Sequence, residues 1–270
     1  LADKPFARWM KEVRDDDAVK AVVLRIDSPG GSGMASDMMW HEVKLTQAAG
    51  KKVVVSMGDL AASGGYFIAA PSDWIVAQPS TLTGSIGVFG GKLNLAGTYE
   101  KIGLTQALFK RGEQADLLSG SHPFSEEGRA TMQAFLDDFY RVFVGKVMEG
   151  RGMTYDEVHA VAQGRVWTGE QALERKLVDE LGGLDVALAK AAEFCELDEY
   201  GIVRLPRPKT FVELLMEDLA EVKAQQVKIQ QVELNLGLPI DADALAELLL
   251  LQRILEDGPA AIVPGHLTIE

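Results

Sequence analysis

The sequence has few of the residues that cross-link a chain or anchor it in a membrane. Cys195 is the only cysteine among 270 residues, which excludes an internal disulfide and a metal site built from several thiolates. No signal peptide and no run of 18 or more apolar residues occurs, so we expect no segment of this chain to span a bilayer. Basic residues are also scarce. With 27 Lys and Arg against 40 Asp and Glu, the net charge of -13 disfavours nucleic acid as a partner.

Apolar residues, in contrast, make up 47% of the chain, which is enough for a substantial core. A length of 270 residues predicts one large or two small domains. The chain begins with Leu1 rather than Met, so we expect it to start partway through a longer product.

Apolar strands alternate with amphipathic helices along the first 200 residues, which predicts an α/β domain with a parallel sheet layered by helices. Residues 201–270 are predicted to be a C-terminal helical extension used for packing or oligomer contacts. The predicted strands are residues 19–26, 52–57, 74–77, 104–109 and 202–205. The predicted helices are residues 5–16, 34–49, 93–102, 125–150, 154–162, 168–175, 184–197, 210–231 and 241–256.

One stretch, Met-Gly-Asp-Leu-Ala-Ala-Ser-Gly-Gly-Tyr at residues 57–66, follows the apolar run 53–55. We interpret it as a small-residue turn that exposes Ser63 between a strand and the start of a helix. Such a position suits a nucleophile, because the free N–H groups of the helix lie beside it. The alternative is that the small residues only let a helix pack closely on the sheet.

A serine nucleophile also needs donors for the oxyanion that forms when it attacks a carbonyl. Gly30 and Gly31 directly follow the strand at 19–26, and glycine lets the backbone approach a ligand closely. The N–H of Gly64 follows Ser63 in the position expected of an oxyanion donor. Since both turns follow parallel strands, we expect them side by side at the carboxyl edge of the sheet.

The general base is not identified by the residues. No local motif links a histidine to Ser63, although His122 is the most plausible of the four histidines, which are His41, His122, His159 and His266. A desolvated lysine is the alternative, since burial lowers its pKa. The candidates are Lys92, Lys101, Lys110 and Lys146, and their spacing singles out none. We expect the polar loop at 112–123 to border the active site.

Four ordered motifs carry a resemblance to a known family. They lie at residues 22–32, 57–66, 79–87, and 164–172 with 177–183, within residues 5–197. The chain resembles signal peptide peptidase A (protease IV), a family of Ser/Lys-dyad peptidases with a Clp-protease or crotonase type of fold. The resemblance implies that Ser63 is the nucleophile, that Gly31 and Gly64 supply the oxyanion N–H groups, and that Ser85 orients the lysine. It implies no cofactor and no metal.

The lysine is where the chain departs from the short members of that family. Their dyad lysine lies in the segment that aligns with residues 110–116, and Ala115 occupies its position here. In the long members, the first of two tandem copies supplies the lysine and the second supplies the serine, and this chain resembles the second copy. Ala77 precedes Gln78 where the related Clp proteases carry a histidine, so a Clp-type triad is contradicted.

The resemblance also implies partners and a location. The expected substrates are apolar remnant signal peptides, and the expected assembly is a homo-oligomer. A preceding domain copy would supply the lysine and a membrane anchor, which places the protein at the extracytoplasmic (periplasmic) face of the cytoplasmic membrane. We expect the isolated chain to be weakly active or inactive.

Two other functions remain open at this point. A crotonase-like acyl-CoA hydratase or isomerase uses similar paired N–H donors but needs no nucleophile at Ser63. A non-catalytic assembly subunit of the peptidase is favoured by the missing lysine and by the apolar helix predicted at 241–256.

Overall fold

The computed structural model describes residues 3–207, and the helices predicted at 210–231 and 241–256 lie outside the described residues. The described elements are α1 (Asp3–Asp15), β1 (Ala21–Ser28), α2 (Gly33–Ala48), β2 (Lys52–Ala62), α3 (Gly64–Ala69), β3 (Trp74–Ala77), β4 (Leu82–Gly84), α4 (Ala96–Lys101), α5 (Glu126–Arg151), α6 (Tyr155–Val161), β5 (Val166–Thr168), α7 (Gly169–Glu174), β6 (Glu180–Leu181) and α8 (Leu184–Phe194).

The central strand of the sheet is β2, which pairs in parallel with β1, β3 and β4. Its length allows this, because residues 54–56 pair with β3 and residues 60–62 pair with β4. Strand β6 adds in parallel to β3, while β5 adds antiparallel to β4. The predicted α/β class is therefore confirmed, and its parallel sheet carries one antiparallel strand.

Alternate side chains of β2 face two different layers of helices, as the pleat of a strand requires. Val53 packs with apolar residues of α1 and α2, and Val55 and Met57 join the main core, which includes residues of α3 and α5. Val54 points the other way and packs against Ala187 of α8. Because β2 is covered on both faces, its sequence is a nearly continuous apolar run rather than an alternating one.

The first correction concerns residues 57–62, which form the second half of β2 and not a turn. Gly58 and the two alanines are poor strand formers, yet Ala61 pairs with both Ser28 of β1 and Thr83 of β4. Pairing on both sides therefore outweighs the weak local propensity. The change of direction is confined to Ser63.

Two predicted strands are wrong. Residues 104–109 form no strand, and every residue among them is exposed, because no neighbouring strand within residues 3–207 pairs with them. Residues 202–205 also lack strand structure. The helix predicted at 93–102 is shorter than expected and spans only Ala96–Lys101.

Helix α5 lies on the core through its second half. It begins where Ser125 accepts a hydrogen bond from the N–H of Gly128, and it ends at Gly152 in a left-handed conformation. Phe143 and Val147 are buried in the core, whereas Phe135 is 62% exposed. Only the C-terminal part of the apolar face of α5 therefore belongs to the core.

Residues up to Tyr200 form a compact unit that contains all of these elements. The division into a domain of residues 1–200 and an extension of residues 201–270 stays a prediction. None of the helices in residues 3–207 is both long enough and apolar enough to cross a membrane.

Candidate active site

Ser63 stands alone between the last residue of β2 and the first residue of α3. Its φ of 52° and ψ of -117° lie in a region that residues with a side chain rarely occupy. Two hydrogen bonds hold this conformation: Ser63 N donates to Gly84 O at 2.9 Å, and Phe67 N donates to Ser63 O at 2.8 Å. Backbone strain of this kind costs about 1–3 kcal/mol and persists only where the surroundings enforce it. The sharp strand-to-helix turn leaves Ser63 partly buried at the edge of the sheet.

The loop after β1 lies directly against this turn. A Cβ built on Gly30 would stand 2.7 Å from Ser63 Cβ, 2.8 Å from Gly64 N and 3.0 Å from Ser63 Oγ. Gly30 also has a φ of 114°, so both the available space and the backbone conformation require glycine. The structure thus places the two glycine turns side by side, as the sequence predicts.

The two proposed oxyanion donors meet in the same small space. A Cβ built on Gly64 would lie 3.3 Å from Gly31 N and would collide with Ser36 Oγ. Gly64 is the first residue of α3, so its N–H has no carbonyl one turn earlier in the helix to bind. Gly31 is exposed, with open space where a side chain would stand. The backbone nitrogens of Gly31 and Gly64 are therefore close neighbours.

Ser85 lies beside Ser63 through the pairing of their strands. Ala62 is the register partner of Gly84, so the residues that follow are neighbours, with adjacent strands about 5 Å apart. Ser85 also holds a left-handed backbone, with a φ of 49°, and its N–H donates to Arg165 O at 2.7 Å.

Two of the candidate lysines are held by ion pairs or aromatic rings. Lys146 Nζ lies 3.0 Å from Asp37 Oδ1 and 3.2 Å from the centroid of the Trp40 ring. Lys110 Nζ lies 2.9 Å from Asp116 Oδ1, and the hydrogen bond from Lys110 lowers the pKa of that carboxyl. Both side chains thus already have partners among the described residues.

The other two lysines do not meet Ser63 either. Lys101 is exposed at the end of α4. Lys92 Nζ is inaccessible to solvent and lies 4.5 Å from the centroid of the Phe124 ring. It lines a cavity of about 310 Å³ together with Gly128 and residues of the 112–123 loop. Gly128, which lines the cavity, is about 16 Å along α5 from Phe139 at a helical rise of 1.5 Å per residue. The ring of Phe139 packs on Gly33, next to the Ser63 region.

The histidines that the structure describes either contact residues other than Ser63 or are exposed to solvent. His122 Nε2 lies 2.9 Å from Asp116 Oδ2, and its Nδ1 lies 2.9 Å from Pro123 O. His159 Nδ1 lies 2.9 Å from the hydroxyl of Tyr140. His41 is exposed on α2, and His266 lies outside the described residues.

Two features that support the site were not found from the sequence. Ser36 on α2 is buried and contacts the Gly64 turn, and Gly33 is so close to Phe139 that a Cβ there would collide with the ring. A serine four residues after the helix N-cap Ser32 is a detectable sequence signal, but its burial is not.

A buried hydroxyl group, that of Tyr66, anchors helix α3. The Tyr66 hydroxyl donates to Leu177 O at 2.9 Å, and burial raises the pKa of Tyr66 above its usual value. Next to it, the Arg151 guanidinium forms a bidentate ion pair with the Asp179 carboxylate, with Nη2–Oδ1 at 2.6 Å and Nη1–Oδ2 at 3.0 Å. These bonds fix the helix whose first residue is Gly64.

Geometry and sequence together define an α/β protein with a serine at a strained strand-to-helix turn and two N–H groups beside it. The sequence profile of peptidase family S49 matches residues 46–198. The chain therefore belongs to peptidase family S49. Within residues 3–207, no group of three or more His, Cys, Asp or Glu residues is arranged to hold a metal ion.

Relatives in three organisms agree with this membership. The chain is 41% identical over 213 residues to "Protease 4" of Salmonella typhi, covering 79% of this chain and 34% of that protein. It is 42% identical over 205 residues to "Serine protease SPPA, chloroplastic" of Arabidopsis thaliana, covering 74% of this chain and 30% of that protein. It is 39% identical over 183 residues to "Putative signal peptide peptidase SppA" of Enterococcus faecium, covering 68% and 53%. The resemblance to the signal peptide peptidase A family is confirmed.

The chain spans about a third of the length of the first two of these relatives. Among solved structures, a ClpP1 mutant from Listeria monocytogenes matches with a TM-score of 0.45 and 13% identity, covering 67% of this chain and 84% of that one.

Proposed function

We propose that this chain carries the serine half of a peptide-hydrolysing site. The observation that carries the proposal is the contact of the Gly30–Gly31 loop with the strained Ser63–Gly64 turn. In the first step, Ser63 Oγ bonds to the substrate carbonyl carbon while its proton passes to a lysine. The carbonyl oxygen, now an oxyanion, accepts hydrogen bonds from the N–H groups of Gly31 and Gly64.

The remaining steps complete the hydrolysis. The C–N bond of the tetrahedral intermediate breaks, and the leaving amine takes the proton from the lysine. A water molecule then gives a proton to the lysine as it attacks the acyl ester, and the proton returns to Ser63 Oγ when the acid leaves. The role of Ser85 is to orient the lysine through its hydroxyl, which the pairing of Ala62 with Gly84 supports.

The lysine comes from a preceding domain copy that is not in these residues. The supporting observations are that Ala115 stands where the short relatives carry the lysine, and that Lys92, Lys110 and Lys146 all have other contacts. The greater length of the relatives leaves room for such a copy.

The names of the relatives support a proposal for the substrates and the location. One is named as a putative signal peptide peptidase, which supports apolar remnant signal peptides with small residues near the cut. Such substrates are released at a membrane. We therefore place the protein at the extracytoplasmic face of the cytoplasmic membrane, attached by an anchor supplied by the preceding copy.

An apolar surface supports assembly with further copies of the fold. We call it the 89–118 surface, after the segment that carries it. Its side chains are each at least half exposed: Phe89, Leu93, Ile102, Leu104, Leu108, Phe109 and Leu118. Large exposed apolar patches mark interaction sites. In a homo-oligomer, a second copy of the chain would pack on this surface and cover it. The same surface also favours the alternative of a non-catalytic assembly subunit.

A fluorophosphonate probe tests the nucleophile. In this reaction the Ser63 Oγ–P bond forms, the P–F bond breaks, fluoride leaves and the serine proton goes to a base. Because we expect the chain to lack its own base, the labelling is run with added methylamine and followed by intact mass and peptide mapping. We expect labelling at Ser63 that S63A abolishes and that S80A, which changes an exposed serine, preserves.

Absence of labelling at Ser63 in the presence of methylamine overturns the proposal. That result favours the assembly subunit or a crotonase-like hydratase, neither of which needs a nucleophile at this position.

A further inference from the structure

Ser36 lies on α2 beneath the turn that carries the nucleophile. The helix begins after Ser32, whose side chain accepts a hydrogen bond from Ala35 N. Ser36 is one turn further along and is only 5% exposed. A buried hydroxyl needs a partner, because an unsatisfied one costs about 1–3 kcal/mol.

The hydroxyl of Ser36 contacts both of the chain segments that carry the proposed oxyanion donors. Its Oγ donates to Ser32 O at 2.9 Å, and Ser36 N donates to the same carbonyl at 3.0 Å. On its other side, Ser36 Oγ occupies the position that a side chain of Gly64 would need. The residue before Ser32 is Gly31, so one hydroxyl connects the backbone beside one donor to the backbone of the other.

We propose that Ser36 is a positioning residue that holds the N–H groups of Gly31 and Gly64 at the spacing an oxyanion requires; this proposal rests on the proposed function. The two donors come from separate chain segments, after β1 and after β2, and the sheet alone does not fix their distance within tenths of an ångström. Oxyanion donors act only when they lie 2.7–3.1 Å from the developing charge. Contact of Ser36 Oγ with Gly64, combined with its bond to Ser32 O, sets that distance.

The same helix offers a matched control. Thr46 Oγ1 donates to Glu42 O at 2.8 Å, which is the same bond from a side chain to the carbonyl four residues earlier. Thr46 is fully buried as well, and its other side chain contact is with Arg14 at 3.3 Å. Loss of this hydroxyl in T46V removes both hydrogen bonds, to Glu42 O and from Arg14, without touching the Gly64 turn.

The experiment measures the rate and affinity of fluorophosphonate labelling at Ser63, with methylamine present, in wild type, S36A and T46V. We expect S36A to lower the maximal labelling rate about tenfold while the half-saturating probe concentration changes less than twofold, because the donors act on developing charge. T46V should change neither value by more than twofold. The pH dependence of labelling should be the same in wild type and S36A, since Ser36 does not titrate.

A double-mutant cycle tests the contact itself. G64A alone places a methyl group against Ser36 Oγ, whereas G64A combined with S36A gives that methyl group the space of the lost hydroxyl. We expect the double variant to label faster than G64A. Circular dichroism and thermal unfolding confirm that each variant is folded.

The outcomes separate the two proposals. Equal labelling of wild type and folded S36A, an equal loss in T46V, or additive effects in the cycle overturns the assignment of Ser36 and leaves Ser63 as nucleophile. Absence of labelling in wild type overturns both.

Discussion

Ser63 and Ser85 are neighbours at the edge of the sheet, each directly after one of the paired residues Ala62 and Gly84. Both hold left-handed backbone conformations, with φ values of 52° and 49°, and Ser63 N donates to the carbonyl that immediately precedes Ser85. The backbones of the two serines are thereby held next to each other.

The contact between Gly30 and Ser63 predicts that G30A inactivates the site. The added Cβ would stand 2.7 Å from Ser63 Cβ, and a φ of 114° strains any residue with a side chain. We expect labelling of Ser63 to fall at least a hundredfold and the free energy of unfolding to drop by about 1–3 kcal/mol.

The control for G30A is G50A. Gly50 also has a positive φ, 82°, but nothing lies within 4 Å of its Cβ position, and it ends α2 far along the chain from the loop at Gly30. G50A should lose stability through its backbone and keep the wild-type labelling rate. Equal labelling by G30A and G50A would contradict the account of the site.

The bond between Tyr66 and Leu177 predicts a cost for Y66F. Without the hydroxyl, a buried carbonyl loses its donor, which costs about 1–2 kcal/mol. Thermal unfolding measures the loss, and hydrogen exchange should show faster opening of α3. Y200F, at a half-exposed tyrosine, should leave both unchanged; a loss of similar size there would argue against a specific anchor.

The pKa of Asp73 predicts how stability depends on pH. Burial opposes ionisation of its carboxyl, but hydrogen bonds from Val53 N, Gln47 and Lys52 outweigh burial and lower the pKa. A lowered folded-state pKa stabilises the protein above the unfolded value of about 3.9, and this contribution is lost as pH falls through the folded pKa.

D73N should therefore destabilise the protein by about 1 kcal/mol at pH 7, a value discounted because the carboxylate is partly solvated. The difference from wild type should shrink as pH falls below about 4. Urea unfolding at pH 7 and pH 3 measures it, with D17N at an exposed carboxylate as the control. A difference that is independent of pH would show that the charge of Asp73 contributes nothing.

The 89–118 surface predicts self-association. Phe89 and Phe109 are 92% and 93% exposed. Replacing them with serine therefore reduces the exposed apolar surface area without disturbing the core. We expect the wild-type chain to elute as an oligomer in light-scattering chromatography and the F89S/F109S variant to shift toward the monomer. L173S, on α7, serves as the control, and an unchanged mass for the double variant would exclude this surface as the interface.

Local sequence patterns were sufficient to predict that the turns carrying Gly31, Ser63 and Gly64 lie together. A serine, or a pair of glycines, directly after a buried strand indicates a sharp turn of the backbone. The structure brings Gly31, Ser63 and Gly64 together. Most helices were also predicted from their caps and apolar spacing; α5, predicted at 125–150, spans Glu126–Arg151 after the cap Ser125.

Features that depend on distant residues were missed. β2 extends through Gly58 and Ala61 because β1 and β4 pair with it, and no local propensity reports those neighbours. Residues 104–109 have a strand-like composition but no strand to pair with. Ser36 carries no sign of its burial, which arises only when α2 packs against the turn at Gly64.

The central claim is that Ser63 is a nucleophile whose base comes from outside these residues. The most direct measurement is the rate of fluorophosphonate labelling at Ser63 as a function of methylamine concentration, in wild type and in K110A. We predict slow labelling without amine, a rate that rises with amine concentration, and the same curve for both proteins. Fast labelling that needs no amine and that K110A abolishes would contradict the claim.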